Sequence, residues 1–164
     1  MMMREALLPE FDHEMGTTRR LLERVPDDRL AWQPHPKSMT LGRLATHIAE
    51  LPHWAETILR DSVMEFDPGA FVPKTAASRL DLLKTFDDSV AAARALIACA
   101  TDAELLSTWT MRVGGHDVVS MPKAACWRSF VMNHGIHHRG QLSVFLRENN
   151  VPIPSMYGPS ADER

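Results

Sequence analysis

Residues 122–149 have the sequence PKAACWRSFVMNHGIHHRGQLSVFLREN. An α-helix has 3.6 residues per turn, so positions spaced three and four residues apart lie on one face. In this stretch that face carries Trp127, Val131, His134, His138, Gln141 and Phe145. Pro122 suits a first helical position, and Asn149 precedes a helix-breaking Asn-Val-Pro sequence. We therefore predict a helix from Pro122 to about Asn149 whose core-facing side contains three successive polar residues.

Three further segments repeat the spacing with mostly apolar residues, and each has a recognisable start or stop signal. They are predicted at residues 4–25, from Ser38 or Thr40 to Asp61, and from Ser78 to Ala100. Pro52 falls inside the second helix, where it removes an amide donor, so we expect a kink near His47. The four segments together predict an all-α fold, and prolines in the connectors permit long crossover connections.

A small hairpin is predicted between the third and fourth helices. Residues 108–113 and 118–120 read as two short strands, and the turn between them contains Gly114 and Gly115. The whole chain of 164 residues suits a single domain, 1–164.

Composition and charge restrict the class of protein. Hydrophobic residues make up 45% of the chain and charged residues 24%, which is ordinary for a globular domain. The formal charge of -3 is the wrong sign for binding nucleic acid through its phosphates. No apolar run is long enough to cross a membrane, so we expect a cytoplasmic protein. Cys99 and Cys126 lie in apolar runs, and we expect both side chains to be buried.

The polar residues on the helix face at 122–149 point to a metal site. His134 and His138 are four residues apart, so both imidazoles can reach one ion. His47 occupies the same kind of position in the second helix and can supply a third nitrogen. Three histidines without a fourth protein ligand are typical of a catalytic metal site with an open position. The alternative is that all three are hydrogen-bonded histidines of the core.

Neighbouring polar residues are candidates for supporting roles. Gln141 follows His138 by three residues and Glu50 follows His47 by three, so either can orient a ligand or contact metal-bound water. Glu50 can equally be a solvated surface charge. His137 flanks the same face and is a weaker ligand candidate. We expect the remaining histidines at the surface: His13, His35, His53 and His116.

Several motifs resemble those of the DinB-like superfamily of damage-inducible proteins. They are HGIHHRGQL at 134–142, LATHIAE at 44–50 and VPIPSMYGPSAD at 151–162, and the likeness extends over nearly the whole chain. The resemblance implies a four-helix bundle with long crossovers, frequently a homodimer. It also implies one divalent transition metal (zinc, nickel or iron) held by His47, His134 and His138.

The resemblance implies less about the reaction. Characterised relatives include thiol-dependent S-transferases, so the leading hypothesis is a metal-dependent transferase acting on a low-molecular-weight thiol and a small electrophile. A metal-dependent hydrolase with Glu50 as base is a second hypothesis. A stress-induced protein that binds a metal or a small ligand without catalysis is the third. All three use the same histidines.

Overall fold

Helices make up most of the structure, which is a computed structural model describing residues 2–163. The helices are α1 (Met3–Leu22), α2 (Leu41–Glu50), α3 (Trp54–Arg60), α4 (Arg79–Cys99), α5 (Asp102–Leu106), α6 (Lys123–Cys126) and α7 (His134–Glu148). The strands are β1 (Val63–Glu65), β2 (Thr108–Val113) and β3 (His116–Pro122). None of the helices in the described part of the chain is long and apolar enough to cross a membrane.

Side-chain caps fix the starts of two of the main helices. The hydroxyl of Thr40 accepts a hydrogen bond of 3.1 Å from the amide of Arg43 at the start of α2. Ser78 does the same for the amide of Asp81 at the start of α4, again at 3.1 Å. Both residues are N-caps, because their oxygens satisfy amides that have no partner within the helix. Ser78 is the predicted cap of its helix, and Thr40 is one of the two candidates, Ser38 and Thr40, that the sequence offers for the second helix.

Four helices supply much of the core, to which α3, α5 and β2 also contribute through Ile58, Leu105 and Trp109. Helix α4 packs against α1 and α2, and α7 also packs against α1 and α2. Buried apolar side chains from all four meet in one cluster, which includes Phe11, Leu44, Phe86 and Leu142. This packing brings the middle of α2 against the first turns of α7, and the histidines lie at that contact.

A three-stranded sheet corrects the all-α prediction. Strands β2 and β3 form the expected antiparallel hairpin, and Gly114 and Gly115 have the positive φ angles, 57° and 79°, that a tight two-residue turn requires. The unexpected strand is β1, which pairs parallel with β2. It lies in a connector for which the sequence predicts no regular structure, because three residues are too few to show a strand's alternation.

Two of the predicted helices are interrupted. The second is broken around Pro52 by a 3-10 turn at Leu51–His53, which separates α2 from α3. The fourth contains a π-helical segment, Trp127–Asn133, between α6 and α7. Such segments insert an extra residue into a helix and frequently occur at functional sites. One smaller expectation is wrong: the side chain of Cys99 is exposed, whereas Cys126 is buried as predicted.

Candidate metal centre

The three predicted ligand histidines meet at the contact between α2 and α7. His47 is half-buried on α2, between Leu44 and Leu51, which are both buried. His134 is the first residue of α7, directly after the π-helical segment, and His138 lies one turn later and is 9% exposed. The helical rise of about 5.4 Å per turn stacks these two side chains on the same face.

The Nε2 atoms of the three rings point at one another. His47 Nε2 lies 3.3 Å from His134 Nε2, and His138 Nε2 lies 2.8 Å from the same atom. One ligand atom from each residue falls within 4.8 Å of the others. Two nitrogens bound to one tetrahedral zinc ion at about 2.05 Å are about 3.3 Å apart, so the cluster has the dimensions of a metal site.

The hydrogen-bonding capacities of these nitrogens favour a cation in the cluster. Gln141 Oε1 lies 2.7 Å from His138 Nδ1, so this nitrogen donates and His138 Nε2 carries a lone pair. A hydrogen bond between the rings of His138 and His134 then requires the hydrogen to be on His134 Nε2, and a protonated nitrogen cannot accept a hydrogen bond from His47 Nε2. A metal ion replaces this hydrogen and accepts all three lone pairs. The residues therefore fit a bound ion better than they fit one another.

The surroundings keep the three imidazoles neutral, which is the form that binds metals. Burial, the two other histidines and the guanidinium of Arg43 lower the pKa of His47 to about 4. Burial, followed by the charges of neighbouring histidines, lowers the pKa of His134. Burial also lowers the pKa of His138, and the hydrogen bond with Gln141 only partly opposes this effect.

Glu50 and the remaining histidines are not part of this group of three. The side chain of Glu50 forms an ion pair of 2.8 Å with Arg43. His137 is exposed, with its ring centroid 4.9 Å from that of His138, but it is not part of the group of three. The four histidines expected at the surface are all exposed: His13, His35, His53 and His116.

A buried ion pair behind the ligands is the main feature that the sequence analysis missed. Arg139 follows His138 and is 1% exposed, and its Nη2 lies 2.6 Å from Glu14 Oε2 on α1. Arg139 also donates to the hydroxyl of Thr18, at 3.1 Å, and to the hydroxyl of Tyr157, at 2.7 Å. The Tyr157 hydroxyl in turn donates to Glu14 Oε2 at 2.9 Å. These bonds fix the rotation of α7 about its axis, and so the direction of His138.

The sequence contains a signal for this network. Thr18 falls on the apolar face predicted for the first helix, and a polar residue in such a position needs a buried partner. Glu14 lies four residues before Thr18 on the same side of α1, and the Thr18 hydroxyl donates to its carbonyl oxygen at 2.9 Å. An arginine beside a predicted ligand supplies the matching donors.

The group of three histidines would leave part of the coordination shell of a bound ion open. Among residues 2–163 it consists of three histidines and no fourth ligand. Three neutral nitrogens leave at least one coordination position of a divalent ion free for a water molecule or a substrate.

Comparison with known proteins places this arrangement in a family. The model of the DinB family matches residues 2–164. In Bacillus subtilis, the uncharacterized protein YrdA is 26% identical over 157 residues, covering 95% of this chain and 89% of that protein. The uncharacterized protein YjoA of the same organism is 25% identical over 148 residues, covering 87% of this chain and 88% of YjoA.

Solved structures show the same fold. The crystal structure of a DinB-like protein from Bacillus cereus superposes with a TM-score of 0.72 at 23% sequence identity, covering 95% of this chain and 98% of the other. The DinB-like protein YjoA from Bacillus subtilis gives a TM-score of 0.67 at 21% identity, covering 97% and 99% of the two chains.

Proposed function

Because this chain belongs to the DinB family, we propose that it binds one divalent transition metal through His47, His134 and His138 and uses the ion in an enzymatic reaction on a small molecule. The observation that carries the proposal is the convergence of the three Nε2 atoms, with separations of 3.3 Å and 2.8 Å. Neutral imidazoles accept zinc, nickel or iron, so the ligand set alone does not select among them.

We propose that the reaction is the transfer of a low-molecular-weight thiol to an electrophilic small molecule. When bound, a divalent ion lowers the pKa of a coordinated thiol or water. In this chain, Gln141 holds the Nδ1 proton of His138 and so keeps the opposite nitrogen available as a ligand. Cys126 is not suited to act as the nucleophile, because burial raises the pKa of its thiol. A thiol supplied by the substrate fits these residues.

Hydrolysis is the second candidate reaction, with Glu50 as the base that activates water. The carboxylate of Glu50 pairs with Arg43 on its own helix, one turn on either side of His47. This ion pair occupies one oxygen of the carboxylate, so we rank hydrolysis after thiol transfer.

Elemental analysis of purified variants tests the metal site. We expect His134→Ala and His138→Ala to lose stoichiometric metal, since each removes one of three ligands. His137→Ala is the matched control, because it removes an exposed imidazole next to the group, and it should retain the metal. Loss of the metal from His137→Ala, with retention in His138→Ala, would refute the ligand assignment.

A second assay separates the candidate functions. Metal-loaded protein is incubated with 1-chloro-2,4-dinitrobenzene in the presence and absence of N-acetylcysteine, and with a p-nitrophenyl ester. Turnover that needs the thiol, and that the chelated protein lacks, supports the transferase. Turnover of the ester without thiol favours hydrolysis. Stoichiometric metal with no turnover of either compound favours a binding protein.

A further inference from the structure

A cavity of about 410 Å³ adjoins the histidine cluster on one side. His138 and Gln141 from α7 form part of its wall, and Leu44 of α2 also lines it. A volume of this size lies within the range of sites for small organic molecules. Because His138 lines the cavity and also belongs to the histidine group, a molecule in the cavity lies beside one of the proposed metal ligands.

Most of the wall is apolar. Leu44 is buried, and Met39, Val144 and Phe145 complete the apolar part. Phe145 is held by an edge-to-face contact with Trp32, with the ring centroids 5.5 Å apart. This part of the cavity can cover the hydrocarbon portion of a ligand without moving a helix.

The charged side chain in the wall is that of Lys37, and no carboxylate from residues 2–163 joins the lining. None of the ion pairs between described residues involves Lys37. Its segment is nevertheless held in place. The amide of Lys37 donates to His35 Nδ1 at 3.1 Å, and the amide of Ser38 donates to the His35 carbonyl at 2.9 Å. Within the described part of the chain, a lysine whose side chain forms no ion pair thus lines a largely apolar cavity.

We propose that this cavity selects a small organic anion with an apolar body, such as an aryl or alkyl carboxylate. The anionic group pairs with the Lys37 ammonium, and the apolar body packs against Leu44, Val144 and Phe145. The anion would be the substrate of the proposed metal centre, and this part of the proposal rests on the proposed function. The preference for an anion comes from Lys37 alone and does not need the ion.

Paired ligands test the preference. The affinities of 4-phenylbutyrate and of the neutral 4-phenylbutanamide are measured by calorimetry on the purified protein and again after treatment with a chelator. We expect the acid to bind about two- to fivefold more tightly than the amide, as expected for an exposed ion pair. Lys37→Met should bring the ratio of the two affinities to about one. Val144→Glu places a carboxylate on the wall and should weaken the acid more than the amide.

Lys84→Met is the matched control. It removes the same charge from an exposed lysine on α4, which pairs with Asp88 outside the cavity, and the ratio should stay as in the parent protein. Equal affinities for the acid and the amide, or no binding of either, would overturn the proposal. A ratio that disappears with the metal but survives Lys37→Met would also overturn it, since the carboxylate would then bind the ion. The metal content of the same samples tests the proposed function separately.

Discussion

Removing the charge of Glu14 while Arg139 stays in place should lower the stability of the protein strongly. The Glu14→Gln variant keeps the size of the side chain and removes the charge. Removing one partner of a buried pair costs about 3–5 kcal/mol, because the other charge stays in the interior without its partner. Here Arg139 keeps the carbonyl of residue 14 and the hydroxyl of Thr18 as acceptors, and the amide oxygen of the introduced glutamine also accepts. We therefore expect a loss of about 3 kcal/mol, at the low end of that range.

Urea unfolding in the presence of a chelator measures this loss without a contribution from metal binding. With a slope of about 2 kcal/mol per molar urea, the midpoint should fall by about 1.5 M. Glu10→Gln is the control on the same helix. It breaks an ion pair of 2.6 Å with Arg128 in which both side chains are well exposed, and such pairs contribute about 0–1 kcal/mol.

Two results would refute this reasoning. Equal urea midpoints for Glu14→Gln and Glu10→Gln would show that breaking the buried pair costs no more stability than breaking the exposed one. The double variant Glu14→Gln with Arg139→Met removes the cation as well, and it should recover part of the stability lost in Glu14→Gln. A double variant less stable than Glu14→Gln would mean that Arg139 acts by packing and not by its charge.

Four further predictions concern the metal centre and assembly. Gln141→Leu should lower metal affinity about 10- to 100-fold, as chelator competition would show, because it releases the Nδ1 proton of His138; an unchanged affinity would contradict that role. The free energy of unfolding of the chelated protein should fall as the pH drops from 6.5 towards 4. The pKa values of His47, His134 and His138 are lowered in the fold, so below pH 6.5 the unfolded chain binds protons that the folded chain does not; a flat profile in urea unfolding would oppose this. Metal loading should raise the melting temperature at neutral pH, because a free metal concentration about one thousand times Kd stabilises the folded state by about 4 kcal/mol. This stabilisation should fade under mildly acidic conditions; equal melting temperatures with and without metal at neutral pH would argue against a preformed site. Light scattering should give a homodimer, and a monomer mass would remove that expectation.

Apolar periodicity predicts much of the fold and of the candidate site. The spacing at 122–149 places His134 and His138 on one face, and the same spacing puts His47 on the core-facing side of the second helix. Local sequence thus identifies the three candidates, and the packing of α2 against α7 brings them together. The two glycines likewise predict the hairpin turn, because backbone positions with positive φ strongly favour glycine.

The π-helical segment is the reason why the regular helical spacing does not predict the buried face of α7. A regular helix puts Gln141 and Phe145 on the core-facing side, but the buried residues of α7 include Leu142 and Leu146. The extra residue within Trp127–Asn133 shifts the buried face by one position, and no local pattern announces such an insertion. The same shift helps bring Arg139 into the interior, where a helical wheel drawn from the sequence puts a surface charge.

The network around Arg139 also bears on the order in which the protein folds. The Tyr157 hydroxyl meets Glu14 across 143 residues, and Arg139 meets the carbonyl of Glu14 across 125. During synthesis, α1 emerges long before either partner, so its Glu14 carboxylate stays hydrated while most of the chain is still being made. Contacts between such distant residues require loop closure and slow folding. The docking of α1 against α7 therefore has to wait until residues 139–157 have been synthesised, and the network that orients His138 can form only after that.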